Sequence, residues 1–281
     1  MFTCSEHYID SLLEEDCPYM DLTVEALGIG DAAGNMTYWS KAPCVLAGVD
    51  EARRLLEHAG CRVECTGRSG QRVAAGEVFM RTWGTARQIH RGLKISQNVL
   101  EYASGIASRT AQMLERARTV APGIHVAVTR KNFPGTKRLS LSAALAGGAV
   151  VHRLGLSDSM LEFDQHSVFM GGMDAFAAEV ARVREVFPER KLCAEVATMQ
   201  EALLLAPTGI DSIQCERFSP EELTQTVPAV KALNPRALVL AAGDVNGDNA
   251  AEYAATGVDV LVTSWVYFGR PQDIKIAVAA G

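Results

Sequence analysis

The sequence predicts an α/β protein: a small α+β region in front, followed by a parallel α/β barrel, closed or incomplete. Three observations carry that expectation. From about residue 125 onward, short apolar segments alternate with stretches of helical periodicity, which implies parallel strands joined by helical crossovers. At least six such strands follow one another, and no dinucleotide fingerprint follows the first of them. Ahead of residue 118 the rhythm differs, with short strand-like and helical pieces separated by glycine-rich turns.

In chain order, "DSLLEEDC" (10–17) reads as a helix start, and "MTYWSKAPCVLAG" (36–48) as strands around Pro43. "DEARRLLEHAG" (50–60) has helical spacing and a glycine able to end it. Residues 61–86 read as antiparallel strands joined by Gly-rich turns. Over 87–120, Ile95, Val99, Leu100, Ile106, Met113 and Leu114 suit one long amphipathic helix, or two with a break near Ser104-Gly105. Barrel strands are expected at 125–131, 159–165, 191–197, 212–218, 237–245 and 258–265. Helices are expected between them at 138–147, 173–187, 198–206, 219–233 and 247–256.

The 281 residues are 48% hydrophobic and 21% charged, values of a globular chain. No apolar run approaches the ~20 residues of a membrane span. The acidic, polar N-terminus lacks the features of a signal peptide, so a cytoplasmic protein without a membrane partner is expected. Seven cysteines without a C-x-x-C pair fit a reducing compartment, and no second Cys/His pair completes a metal clip at Cys61 and Cys65. A net charge of −6 argues against nucleic-acid binding, which needs a broad basic face. Any anion site must therefore be local. Residues 128–158 are the obvious place, because Arg130, Lys131, Lys137, Arg138, His152 and Arg153 gather there among glycines and alanines.

In parallel barrels the chemistry sits where strands end. The expected strand ends carry Thr129-Arg130-Lys131, Asp164-Gln165-His166, Glu195, Glu216-Arg217, Gly243-Asp244 and Thr263-Ser264. Small residues at the late strand ends let backbone N–H groups approach a phosphate. Carboxylates beside a bound phosphate imply a divalent cation, most often Mg²⁺. The cations would neutralise a second anion or developing charge. Glu195 lies inside an apolar strand, where an unpaired carboxylate is costly. Asp244 is discordant, since a carboxylate in a phosphate turn repels the ligand unless a cation intervenes.

These residues resemble the quinolinate phosphoribosyltransferase family. "DLT" (21–23) and "VLAG" (45–48) resemble its front-domain signatures, and "NVLEYASGIAS" (98–108) its asparagine-to-"SGIAT" helix. "TRKNFPGTKRL" (129–139) is similar to its "TRKTTPGLR" loop, and "AGGAVVHRLGLSD" (146–158) to its "GGGxNHRxGLxD" stretch. "DQH" (164–166) is similar to "DNH", and "ATGVD" (255–259) matches its terminal barrel unit. The resemblance implies an α/β sandwich domain over 1–104, a barrel over 105–270, and a tail over 271–281 that packs back on the front domain. It also implies phosphoribosyl pyrophosphate as co-substrate with Mg²⁺, and a homodimer whose partner subunit completes the site.

Carried over residue by residue, Lys131, Glu195 and Glu216 are the expected catalytic groups, with Glu195 and Glu216 as the Mg²⁺ ligands. Lys94, Thr129, Arg130, Lys137, His152 and Arg153 are the expected substrate-binding groups. Ala242, Gly243, Asp244, Thr263 and Ser264 are the expected phosphate-binding positions. The chain departs from the family's pattern at several of these places. Lysines stand at 94 and 137 where the family has arginine, and Ala197 stands where it has an acid. The family's serine-glycine-glycine turn reads Ala242-Gly243-Asp244, and Ser264 replaces a glycine. Phe163 replaces the lysine before "DNH", which removes a fixed charge from a pocket built for two carboxylates. This pattern is similar to the ModD-type branch of the family, whose members are associated with molybdenum-transport operons.

The expected activity is transfer of ribose 5-phosphate from phosphoribosyl pyrophosphate to an anionic nitrogen heterocycle, with pyrophosphate as leaving group. No Ser/His/Asp or Cys/His constellation suggests a covalent nucleophile. Two alternatives stay open: a quinolinate phosphoribosyltransferase of NAD biosynthesis, and a barrel that binds an anion without turnover.

Overall fold

The computed structural model describes residues 2–281. The chain begins with α1 (Glu6–Asp16), α2 (Leu22–Leu27), β1 (Ala33–Ser40), β2 (Cys44–Val45) and α3 (Val49–His58). It continues through β3 (Arg62–Cys65), β4 (Arg72–Val73), β5 (Val78–Thr85) and the long α4 (Ala86–Arg118). The barrel strands and their crossovers come next: β6 (His125–Val128), α5 (Lys137–Ala146), β7 (Val150–Val151), β8 (Met160–Glu162), α6 (Asp164–Ser167) and α7 (Met173–Val186). They are followed by β9 (Leu192–Val196), α8 (Met199–Leu205), β10 (Ser212–Glu216), α9 (Pro220–Leu233), β11 (Leu238–Ala242), α10 (Ala250–Ala255) and β12 (Val260–Thr263). A last strand, β13 (Ile274–Ala280), closes the chain.

The chain divides into two compact units. The first runs to Ala111 and takes in Phe133–Gly148 and Tyr267–Gly281. The second comprises Gln112–Asn132 and Ala149–Val266. The boundary expected between residues 104 and 105 thus falls within α4, and the stretch holding α5 groups with the first unit.

In the first unit, an antiparallel sheet of order β13-β1-β5-β3 packs its apolar face on helices. Met36 and Tyr38 of β1 and Phe79 and Met80 of β5 meet Leu56 of α3 and Ile89 and Leu100 of α4 in one buried cluster. The alternating burial of β1 is what a strand with one covered face requires. β13 lies antiparallel beside β1, from Gly34 opposite Ala280 to Ser40 opposite Ile274.

α4 is one unbroken helix, the first of the two alternatives the sequence left open, with no break at Ser104-Gly105. The two residues serve packing instead. Ser104 Oγ accepts from the Ala47 N–H at 3.0 Å. A Cβ on Gly105 would come within 3.0 Å of the Arg270 carbonyl oxygen and 3.2 Å of the Gln272 nitrogen, so glycine is what lets backbone approach the helix there.

In the second unit, seven parallel strands form a sheet of order β7-β6-β12-β11-β10-β9-β8. Nearly every central position of β9, β10, β11 and β12 is buried, as expected of strands covered on both faces. The barrel is incomplete: β7 and β8 are the two edges, and no pairing joins them among the described residues. The two-residue β7 was not legible in the sequence. Crossover helices start where capping boxes place them. Thr198 Oγ1 accepts from Glu201 N–H, and Ser219 Oγ from Glu222 N–H, each at 3.2 Å. No helix among the described residues is long and apolar enough to cross a membrane.

Candidate active site

The parallel strands of the second unit open at their C-terminal ends into a cavity of about 640 Å³, within the range of small-molecule sites. β6 and β7 end in Thr129, Arg130, Lys131, His152 and Arg153, all of which line it. β8 contributes Leu161 and Phe163, and the following turn Gln165. β9 and β10 contribute Glu195, Gln214 and Glu216, with Arg217 just beyond. Ala242, Gly243 and Asp244 follow β11, and Thr263 and Ser264 follow β12.

The strand ends are tied together by backbone. His152 N–H donates to Val128 O at 3.1 Å, Thr129 N–H to Thr263 O at 3.1 Å, and Arg217 N–H to Ala242 O at 2.8 Å. Thr263 Oγ1 donates to Val245 O at 2.7 Å and accepts from Trp265 N–H at 3.0 Å. Thr263 is therefore a structural pin of the late loops as well as a wall of the cavity. Gly243 has φ +81°, and a Cβ there would fall 2.5 Å from Arg217 Cγ. Asp244 adopts φ +57° in the same turn, and its carbonyl accepts from Asn246 Nδ2 and Asn249 Nδ2 at 3.0 Å each. The backbone N–H groups of Gly243, Asp244 and Ser264 have no acceptor among the described residues.

The charges are arranged in two groups. Arg153 is 6% exposed, and neither it, Arg130 nor Lys131 has an acidic ion-pair partner among the described residues. Burial, and then the Arg130 guanidinium, push Arg153 down from the ordinary guanidinium value. Burial pushes the His152 imidazole down, and Arg153 adds to it, so His152 is favoured neutral. Facing them are Glu195 and Glu216. Burial first, and then Glu216, hold Glu195 above the usual carboxylate value, with Gln214 and Lys131 opposing the shift. Gln214 Nε2 donates to Glu195 Oε2 at 2.7 Å, and Gln214 Oε1 is buried without a partner. Arg217 Nε lies 3.9 Å from Glu216 Oε1, a loose contact at an exposed side chain.

Twelve of the fourteen residues expected from the sequence line this cavity; the two that do not are Lys94 and Lys137. Both are exposed and belong to the first unit. Lys94 Nζ donates to Gln97 Oε1 at 2.8 Å, and Lys137 opens α5. Gln214 and Arg217 were missed as site residues. A signal existed for Gln214, because it stands two residues before Glu216 on one strand and so shares its face. His166 is outside the cavity wall but holds Phe163, its ring 4.4 Å from the phenyl ring between centroids.

A parallel α/β barrel with cations free of ion pairs, two carboxylates and free backbone N–H groups at its strand ends belongs to the class of barrels whose mouth has the chemistry to hold an anionic small molecule. Comparison with known proteins narrows the class. Residues 106–277 match the family model "Quinolinate phosphoribosyl transferase, C-terminal domain", and residues 21–104 match its N-terminal counterpart. The chain belongs to the quinolinate phosphoribosyltransferase family. It is 41% identical to a Rhodobacter capsulatus protein named "Putative pyrophosphorylase ModD", over 92% of this chain and 98% of that one. It is 33% identical to the nicotinate-nucleotide pyrophosphorylase (carboxylating) of Rattus norvegicus, over 90% of this chain and 83% of that one. The fold matches that of the nicotinate-nucleotide pyrophosphorylase of Francisella tularensis at a TM-score of 0.89 and 20% identity, covering 97% of this chain and 95% of that one.

Proposed function

We propose that the protein is a phosphoribosyltransferase, moving ribose 5-phosphate from phosphoribosyl pyrophosphate to an anionic nitrogen heterocycle. The observation that carries the reading is the unpaired cationic wall. A guanidinium as buried as Arg153, beside Arg130 and Lys131 and without a counter-ion, is costly in the free protein and becomes favourable when an anion arrives. Family membership supplies the reaction class, and the relatives named as pyrophosphorylases support it.

In this reading the N–H groups of Gly243, Asp244 and Ser264 receive the 5-phosphate. Ala242 and Thr263 fix the backbone that presents them. Lys131 neutralises the charge that builds on pyrophosphate as the C1–O bond breaks, which is electrostatic rather than covalent catalysis. Glu195 and Glu216 stabilise positive charge on the sugar, and Gln214 keeps Glu195 oriented. Arg130, His152 and Arg153 orient the acceptor, with Thr129 shaping the same wall. A homodimer is part of the reading, with Lys94 supplied by the partner subunit.

A carboxylate pair in which Glu216 helps hold Glu195 above the usual carboxylate value forms a fitting half-site for Mg²⁺, which commonly takes one or two carboxylates together with substrate phosphates. Glu195 and Glu216 would hold it, and it would supply charge neutralisation for the departing pyrophosphate. The test is pyrophosphate release from phosphoribosyl pyrophosphate across a panel of nitrogen-heterocycle acids, with Lys131→Ala as control. Release that depends on one acceptor and on Lys131 supports the reading. Silence across the panel, with no thermal stabilisation by phosphoribosyl pyrophosphate, refutes it.

A further inference from the structure

The charges of the cavity are not spread evenly over its strand ends. β6 and β7 end in cations, whereas β8 ends in Leu161 and Phe163, which stand two residues apart and face the cavity together. Phe163 is held by its own turn. Its carbonyl accepts from the His166 N–H at 2.6 Å, its N–H donates to His166 Nδ1 at 3.3 Å, and its ring lies tilted at 55° to the imidazole. From Met160 to Ser167 the chain carries no lysine or arginine. The titratable neighbours supplied by this segment are acidic: Asp164 and Glu195 both raise the carboxyl of Glu162, and Asp164 raises Glu195, with Lys131 of the cationic wall acting the other way on Glu195. A ligand in the cavity thus meets guanidinium groups without ion pairs from β6 and β7 and a fixed, uncharged aromatic face after β8, where the family's pattern has a lysine.

Resting on the transferase reading, we propose that the acceptor is an aromatic nitrogen heterocycle with a single carboxylate, and that Phe163 sets this preference. The carboxylate pairs with Arg130 and Arg153, and the ring packs on Phe163. A second carboxylate placed against Phe163 would be desolvated by a phenyl ring that supplies no charge, and would be repelled by Asp164 and Glu195. In the step itself, the lone pair of the ring nitrogen forms the bond to the sugar C1. The C1–O bond breaks with its electron pair leaving on pyrophosphate. The acceptor keeps all its carbons, so no carbon dioxide is lost.

Calorimetric binding of pyridine-3-carboxylate and pyridine-2,3-dicarboxylate tests this on the wild type, Phe163→Lys and Phe163→Leu. The wild type is expected to bind the monocarboxylate at least about tenfold more tightly. Phe163→Lys should move the ratio toward the dicarboxylate, and Phe163→Leu should weaken both while keeping the order. Equal or tighter dicarboxylate binding by the wild type, an unchanged ratio in Phe163→Lys, or no binding of either ring overturns the proposal. Pyrophosphate release measured alongside separates the two claims. Release with a reversed preference sinks only the acceptor class, and the expected preference without release sinks only the transfer.

Discussion

Replacing Arg153 by methionine separates a binding residue from a structural one. The change keeps an unbranched side chain of similar length in a position only 6% exposed, and removes the charge. In the free protein Arg153 has no acidic ion-pair partner among the described residues, and burial already works against its charge. Deleting that charge therefore relieves a desolvation cost rather than breaking an ion pair, and the urea midpoint of Arg153→Met should equal or exceed that of the wild type. Binding should move the other way. A hydrogen bond to a charged partner contributes roughly 1.5–3 kcal/mol, which is about 10- to 150-fold in dissociation constant. Titration calorimetry with phosphoribosyl pyrophosphate, paired with urea unfolding, measures both. An Arg153→Met protein that loses stability yet keeps its affinity would refute the reasoning, because Arg153 would then be holding the barrel and not the ligand.

Other outcomes follow from single positions. Glu162 is 6% exposed, and burial raises its carboxyl above the ordinary value of 4.5, with the nearby Ser167 hydroxyl and N–H opposing the shift only in part. A carboxyl raised in the folded state stabilises while protonated, and that contribution is lost as pH rises through the folded value. Glu162→Gln should thus raise Tm at pH 7.5, with the gain shrinking as pH falls toward 4.5; a gain independent of pH would contradict this. Gly243→Ala puts a methyl 2.5 Å from Arg217 Cγ at φ +81°, so a stability loss above about 1 kcal/mol and weaker binding of phosphoribosyl pyrophosphate are expected. A Gly243→Ala protein with wild-type urea midpoint and affinity would show that the turn relaxes freely. Gly105→Ala should lower Tm by forcing residues 270–272 away from α4, while leaving cavity affinity intact. Chelation by EDTA should stop pyrophosphate release, and added Mg²⁺ should restore it; full activity in EDTA would remove the cation from the account.

Much of this was legible in the sequence because the signals were local and periodic. The barrel strands are continuous apolar runs, which only strands covered on both faces display, and their helices begin at Thr198-x-x-Glu201 and Ser219-x-x-Glu222. Since strand ends dictate where side chains meet, Arg130, Glu195, Glu216 and Gly243 group together from the sequence alone. Illegible features depended on contacts distant in sequence. Gly105 left one helix or two open because its reason, the backbone at 270–272, lies some 165 residues away. β7 is two residues long and has no period to read. Gln214 has its reason on the neighbouring strand, where its amide meets Glu195. The lack of an acidic partner for Arg153 is a property of the fold, and no sequence pattern reports it.

The most direct test of the central claim is stoichiometry. With phosphoribosyl pyrophosphate, Mg²⁺ and an accepted heterocycle, mass spectrometry of the acceptor and a coupled pyrophosphate assay are run on the same samples. The account predicts one ribosylated acceptor for each pyrophosphate released, with both signals abolished in Lys131→Ala. Pyrophosphate released without ribosylated acceptor would mean that the cavity passes the sugar to water, and the transferase account would be contradicted.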